Sequence, residues 1–139
     1  MVETPSENWI IGVVDDDESI RLALRSLLRS LGFQVEIFGS AEGVLGFPRL
    51  ADIACLIVDL SLPGMSGLDL QRQLAAAHPE LPMVFMSARD DPVARQQALA
   101  AGALAFLGKP FSEKALINTV HAALARLQGA TARIHNEGK

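Results

Sequence analysis

The chain has 139 residues, the size of one average domain, and half of them are hydrophobic, which is enough for a sizeable core. Its formal net charge of -4 opposes non-specific binding to nucleic acids. The sequence shows no membrane-spanning run and no secretory signal in residues 1–8, and its single cysteine excludes an internal disulfide, so a cytoplasmic protein without membrane contact is expected.

Five short apolar runs alternate with longer amphipathic stretches, which is typical of a parallel sheet covered by helices on both faces. The predicted strands are Trp9 to Val14, Phe33 to Phe38, Ala54 to Val58, Pro82 to Met86 and Ala103 to Leu107. The first and third runs are the most continuously hydrophobic. They are therefore predicted to be central strands, buried on both sides.

The stretches between these runs carry helix signals. An apolar stripe of Ile20, Leu24, Leu27 and Leu31 predicts the first helix, which Gly32 ends. The last helix is predicted to present Leu116, Val120, Ala123, Leu124 and Leu127 to the core, with no sustained pattern beyond. The predicted N-terminal caps of the five helices are Asp17, Ser40, Ser66 with Asp69 as a capping box, Asp91 before Pro92, and Ser112.

The residues that follow the predicted strands carry the chemistry. Ligand sites of such sheets lie at the carboxyl ends of the strands, so polar residues placed there are expected to converge. Each residue alone is adequately explained as a cap, a turn former or a solvated charge, but their coincidence at four strand ends favours a site. These residues are Asp15, Asp16 and Asp17 after the first strand, Asp59 after the third, Ser87 after the fourth, and Gly108 and Lys109 after the fifth.

Clustered carboxylates repel one another unless a cation is present, and oxygen ligands suit Mg²⁺ beside a phosphate group. A carboxylate can also act as the nucleophile in phosphoryl transfer, with a lysine and a hydroxyl facing the phosphoryl oxygens. The pattern therefore predicts magnesium-dependent phosphoryl chemistry at the edge of the sheet.

At these residues the sequence resembles the receiver domain of bacterial two-component response regulators. The matching motifs are Val13–Asp16, Val58–Gly67, Met86–Ala88 and Lys109–Phe111. The second motif is most similar to LuxR-type regulators, including the nitrogen-fixation branch. The resemblance implies an α/β fold, a flavodoxin-like doubly wound (βα)5 three-layer sandwich with parallel sheet order 2-1-3-4-5. It divides the chain into an N-terminal extension (1–8), a receiver domain (9–127) and a flexible tail or linker (128–139).

The resemblance also assigns roles. It makes Asp59 the acceptor of a phosphoryl group from a sensor histidine kinase and implies a cis peptide bond between Lys109 and Pro110. The implied Mg²⁺ ligands are Asp15, acting through water, Asp16, Asp59 and the carbonyl of Ser61. The implied phosphoryl-binding and switch residues are Ser87, Lys109, Phe106, Leu60 and Ala88.

Phe106 occupies a position where many relatives carry tyrosine, so a switch there would depend on packing and ring burial alone. An ordinary core aromatic is the alternative. The expected output face, Val93 to Leu127, comprises the fourth helix, fifth strand and fifth helix. Its alanine-rich part, Ala94 to Ala105, offers a surface for a homodimer, although alanine is also simply a good helix former.

Three functions remain open. The first is a non-enzymatic switch that is phosphorylated on Asp59. It controls an output such as a DNA-binding domain outside this chain, or it acts as a stand-alone relay. This domain itself is not expected to contact nucleic acid. The second is a magnesium-dependent phosphohydrolase, disfavoured because Ser61 stands where such enzymes supply a second acid. The third is a binding module that is never phosphorylated, which the acidic residues and Lys109 disfavour.

Overall fold

The structure is a computed structural model that describes residues 9–88 and 91–137; the predicted extension, residues 1–8, lies outside the described residues. Helices and strands alternate along the chain, with one 3₁₀ turn at Leu50–Asp52. The elements are β1 (Ile10–Val14), α1 (Glu18–Ser30), β2 (Gln34–Phe38), α2 (Ala41–Leu45), β3 (Ile53–Asp59), α3 (Gly67–Ala77), β4 (Met83–Ser87), α4 (Pro92–Ala100), β5 (Ala105–Gly108) and α5 (Glu113–Glu137).

The five strands form one parallel sheet in the order β2-β1-β3-β4-β5, which confirms the expected topology. β3 lies at the centre and β1 between β2 and β3, as their continuous hydrophobicity predicted. Every residue of these two strands is buried, because helices cover both faces of the sheet. The parallel arrangement places the carboxyl ends of all five strands at one edge.

Two hydrophobic clusters, one on each face of the sheet, complete the three layers. The first lies under α2, α3 and α4, and the second under α1 and α5. The first includes Ala41, Val44, Leu70, Leu74 and Ala98. The second includes Leu24, Leu28, Leu116, Val120, Ala123 and Leu124, which confirms the predicted seam of α5 apart from the partly buried Leu127.

Cys55 belongs to the second cluster, in the middle of β3. Burial raises the pKa of its thiol to about 12, because the charged thiolate would lose its hydration there. The side chain is therefore a small hydrophobic core residue, as the sequence predicted. Among the described residues, none of the helices is long and apolar enough to cross a membrane.

The predicted helix caps are present. Asp17 accepts a hydrogen bond from the Ser19 N–H, and Asp91 accepts one from the Ala94 N–H. Ser66 and Asp69 form the reciprocal hydrogen bonds of a capping box. Ser40 and Ser112 accept hydrogen bonds from Gly43 and Ala115, respectively. Gly32 follows α1 with φ 95°, a conformation that glycine adopts without steric cost.

Some boundaries differ from the prediction. Leu31 is 44% exposed because α1 ends at Ser30, whereas Leu28, outside the predicted stripe, is fully buried. The N–H of Ala103 bonds to the Ala98 carbonyl in the turn that ends α4, so β5 begins only at Ala105. α5 continues helical to Glu137, past residue 127, because no proline interrupts it and one glycine costs only about 1 kcal/mol.

Candidate functional site

The carboxyl ends of β1 and β3 bring three carboxylates together. Asp15 and Asp16 directly follow β1, and Asp59 is the last residue of β3. One carboxylate oxygen of each lies within 4.8 Å of the other two. Asp15 and Asp59 are buried, whereas Asp16 is exposed. The cluster is therefore a pocket of oxygen ligands that is open to solvent on the side of Asp16.

Lys109 extends from the end of β5 into this cluster. Its Nζ lies 2.9 Å from Oδ2 of Asp15 and 3.3 Å from Oδ2 of Asp59. Burial acts to lower the pKa of Lys109, but the hydrogen bonds and charges of the two aspartates outweigh it and raise the pKa above its ordinary value of 10.5. Lys109 is therefore a cation at neutral pH and offsets part of the repulsion among the carboxylates.

The backbone of β5 fixes the position of Lys109. Its N–H donates a 2.7 Å hydrogen bond to the carbonyl of Ser87 at the end of β4. The peptide bond between Lys109 and Pro110 is cis. The sheet thus holds the lysine backbone at the edge where the aspartates lie.

Each polar group of Asp15 has a partner. The N–H donates to the Phe38 carbonyl, Oδ1 accepts from the Asp17 N–H, and Oδ2 accepts from Lys109. The carbonyl accepts a 2.7 Å hydrogen bond from the Arg21 guanidinium of α1. Asp15 is consequently fixed in place, and the position of Asp16 is fixed with it. Arg21 was not predicted from the sequence, because its partner is a backbone carbonyl and no pattern of residue types indicates such a contact.

The loop after Asp59 is also ordered by specific contacts. Oδ1 of Asp59 accepts a 3.0 Å hydrogen bond from the N–H of Ser61, and the N–H of Leu60 donates to the carbonyl of Met86 in β4. Farther along the loop, the N–H of Met65 donates to Glu42 of α2 at 3.3 Å. Glu42, too, was not predicted, because its partner is a backbone N–H distant in sequence.

The remaining predicted residues lie beside this cluster or on β5. Ser87 is 3% exposed and ends β4, next to the end of β3, and the exposed Ala88 follows it. Phe106 is half-buried against the cluster under α4, and the Arg95 guanidinium of α4 lies 5.9 Å from its ring centroid. The structure thus brings Asp15, Asp16, Asp59 and Lys109 into direct proximity, with Ser87 at the same edge.

Comparison with known families identifies this arrangement. Residues 11–121, most of the chain, match the family described as the response regulator receiver domain. The chain belongs to this family. Receiver domains of response regulators are signalling switches, and the family typically binds Mg²⁺ at acidic residues such as the three that cluster here.

Curated relatives of this receiver domain are longer regulators. Response regulator protein TodT of Pseudomonas putida is 42% identical over 115 residues, which are 83% of this chain and 51% of TodT. Transcriptional regulatory protein FixJ of Azorhizobium caulinodans is 35% identical over 120 residues, 86% of this chain and 57% of FixJ. The chain therefore spans about half the length of the curated relatives it matches.

A solved structure supports the same assignment. The response regulator StyR superimposes with a TM-score of 0.80 at 40% sequence identity, over 94% of this chain and 66% of that chain.

Proposed function

We propose that this receiver domain accepts a phosphoryl group on Asp59 from a sensor histidine kinase and changes conformation to control an output. The observation that carries the proposal is the cluster of Asp15, Asp16 and Asp59 with Lys109 bonded to two of them. Three carboxylates at one edge repel one another in the folded state, which favours a site for a cation over a purely structural role. Phosphoryl transfer uses positioned charges of this kind.

In the proposed reaction a carboxylate oxygen of Asp59 attacks the phosphorus of a phosphohistidine. An O–P bond forms as the P–N bond breaks, and the electron pair of that bond returns to the imidazole nitrogen. The Ser61 N–H holds Oδ1 of Asp59, and Lys109 holds Oδ2, so the nucleophile is oriented before the donor arrives. Lys109 would then pair with the negatively charged phosphoryl oxygens, because its raised pKa keeps the amine protonated.

The donor set fits a hard divalent ion, because oxygen atoms of three carboxylates lie within 4.8 Å of one another. Asp15, acting through water, Asp16, Asp59 and the Ser61 carbonyl would hold Mg²⁺. The ion would neutralise charge on the phosphoryl oxygens during transfer. Asp16, the exposed member, leaves the approach from solvent open.

The switch that we propose involves residues next to the cluster. Ser87 would donate a hydrogen bond to the new phosphoryl oxygens, with Leu60 and Ala88 flanking the group. Phe106 would turn into the space that the movement of Ser87 opens. Phenylalanine has no hydroxyl group to anchor, so packing alone would stabilise the turned ring. The domain would act without turning over a substrate beyond its own phosphorylation and dephosphorylation.

The output and its partners are part of the proposal because the chain spans half of its curated relatives. We propose a transcriptional output through a DNA-binding domain outside this chain, with the kinase as partner in the cytoplasm and no nucleic-acid contact from this domain. A homodimer would form through α4, β5 and α5. A stand-alone relay protein is the alternative.

The proposal is tested by incubating the protein with acetyl phosphate and Mg²⁺ and measuring its intact mass. We expect one phosphoryl adduct on the wild-type chain and none on Asp59→Asn. Asp69→Asn, which changes an aspartate ten positions away in α3, is the control and should keep the adduct. Absence of an adduct on the wild-type chain would support a binding module, and steady turnover of a generic phosphoester would support a hydrolase.

A further inference from the structure

A buried glutamine joins α3 to the C-terminal end of α4. Gln71 is 3% exposed, and its Nε2 donates a 3.0 Å hydrogen bond to the carbonyl of Ala98, 27 residues away. The same carbonyl accepts a second hydrogen bond from the N–H of Ala103. Both lone pairs of this oxygen are therefore used, one within the turn that ends α4 and one by α3.

α3 is itself fixed against the strand that carries Asp59. A Cβ added to Gly67, the first residue of α3, would lie 3.1 Å from the Asp59 carbonyl and 3.0 Å from the Phe85 ring. A larger residue would therefore force its neighbours to shift, whereas glycine allows this close approach. Gln71 follows one helical turn later, so its amide is held at a fixed distance from the phosphoacceptor strand.

The two ends of α4 are held very differently. Ala98 is the buried residue of α4, whereas Val93 in its first turn is 66% exposed. The N-terminal end is capped by Asp91, and the chain leads back from there to Ser87 at the site. The C-terminal end has both the apolar contact of Ala98 and the hydrogen bond from Gln71.

We infer that Gln71 is a positioning residue for α4, whose buried amide makes the C-terminal end of that helix a pivot. A rearrangement at Ser87 then tilts α4 about Ala98, so that the first turn with Val93 moves most and the last turn stays bound to α3. This inference rests on the proposed function, which supplies the rearrangement; the hydrogen bond to α3 does not depend on it.

The test measures amide hydrogen exchange by NMR in the wild-type chain and in Gln71→Leu, with and without acetyl phosphate and Mg²⁺. Leucine has nearly the same volume as glutamine, and the Ala98 carbonyl keeps its bond to Ala103, so no buried oxygen loses its last partner. Gln71→Met, which keeps the length of the side chain, replaces Gln71→Leu if that variant does not fold. Gln73→Leu is the matched control, because Gln73 is exposed on the same helix.

Without phosphoryl donor, we expect the N–H groups of Ala101 and Ala103 to exchange about fivefold faster in Gln71→Leu than in the wild-type chain, which is the factor that one net hydrogen bond contributes. In Gln73→Leu their exchange rates should equal those of the wild-type chain. In the wild-type chain, the donor should change the exchange rate of the Arg95 N–H in the first turns of α4. The rate of the Ala101 N–H should stay within twofold of its value without donor. In Gln71→Leu both ends should change.

Equal exchange at Ala101 in Gln71→Leu and wild type without donor would overturn the inference. So would an equal change at both ends of α4 in the phosphorylated wild-type chain. If intact mass shows no adduct on the wild-type chain, the proposed function and the tilt fail together, and the comparison without donor still decides whether Gln71 holds the helix.

Discussion

Asp15 shows how single residues prepare the site before any ligand arrives. Its carboxylate and both backbone groups are already bonded, to Asp17, Lys109, Phe38 and Arg21. Such bonding removes the conformational freedom that binding would otherwise have to restrict. In the proposed function, a phosphoryl donor would therefore meet a carboxylate of Asp15 and an ammonium group of Lys109 that are already held in place.

Lys109 predicts a distinct dependence of stability on pH. Its pKa is raised in the folded state, so its stabilising contribution is complete below its ordinary pKa of 10.5 and is lost as the pH rises through the folded pKa. Lys109→Met should therefore be less stable than wild type at neutral pH, by an amount that shrinks at strongly alkaline pH. Urea unfolding followed by circular dichroism at several pH values measures this difference.

Other groups that titrate at alkaline pH do not disturb this measurement, for two reasons. The chain contains no tyrosine, so no phenol titrates in the same range. Cys55 does titrate there, with a pKa of about 12 against an ordinary 9.0, but it is common to both proteins and cancels in the difference. A gap between wild type and Lys109→Met that stays constant to the highest pH would contradict the coupling of Lys109 to the aspartates.

The proposed magnesium ligands lead to a second prediction for single residues. Mg²⁺ should raise the melting temperature of the wild-type chain, because a ligand that binds the folded state alone stabilises it. Asp16→Ala should abolish the rise, while Asp52→Ala, at a partly exposed aspartate that pairs with Arg49, should keep it. Differential scanning fluorimetry measures both. An unchanged response in Asp16→Ala would remove Asp16 from the ligand set.

Prediction from sequence succeeded for the residues that the backbone places at strand ends. Asp15, Asp16, Asp59 and Lys109 could be grouped because parallel strands end at one edge of a sheet. Arg21, Glu42 and Gln71 could not, because each bonds to a backbone group, and for Glu42 and Gln71 that group belongs to a residue more than 20 positions away. Such partners become neighbours only once the chain has folded.

At the scale of elements, the start of α3 links helix formation to the site. The capping box of Ser66 and Asp69 begins the helix seven residues after Asp59. Hydrogen bonds from Ser66 hold the pKa of Asp69 below its ordinary value, so its contribution to stability is present at neutral pH and is lost only in acid. The loop between Asp59 and Ser66 is therefore held by β3 at one end and by the capped start of α3 at the other.

Ser66→Ala should lower the free energy of unfolding by about 1 kcal/mol, the usual cost of removing an N-terminal cap. The physical reason is that the N–H of Asp69 loses its acceptor. Urea denaturation measures the change, and Ser26→Ala, on an exposed position of α1, is the control expected near zero. Equal unfolding of Ser66→Ala and wild type would show that water replaces the cap without cost.

Helix starts were predicted better than helix ends. A start requires a side-chain acceptor such as that of Asp17 or Asp91, which a sequence displays directly. An end depends on packing: Leu31 has the right spacing for the stripe of α1 but lies beyond its last residue, and α5 continues past its apolar seam. The spacing of apolar residues predicts the buried face of a helix, and it gives no prediction where a helix continues without a buried face.

At the scale of the whole molecule, the fold presents exposed hydrophobic side chains on α4 in addition to the acidic edge. Val93 is 66% exposed and Leu99 40% exposed on this helix. Apolar side chains at such exposure favour burial against a partner. The alternation of apolar runs with amphipathic stretches predicted the parallel sheet, and the order of the strands is the one that the family resemblance implied.

The expected homodimer can be tested on this surface. Val93→Glu should keep phosphorylation on Asp59 and lose the proposed dimer, because the interface would have to bury a charge. Light scattering coupled to size exclusion measures the mass, and intact mass spectrometry checks the adduct. Leu22→Glu, at another exposed hydrophobic position (40% exposed) on α1 across the sheet, is the control. Dimers of Val93→Glu equal to wild type would exclude this face.

The single cysteine has a practical consequence for experiments on this protein. Maleimides and similar reagents react with thiolates, and Cys55 offers none while the chain is folded, because its pKa is about 12 and its side chain is fully buried. A cysteine introduced on α4 can therefore take a fluorophore or spin label without first removing the native one. The slow rate at which Cys55 itself is alkylated then reports how often the sheet opens completely.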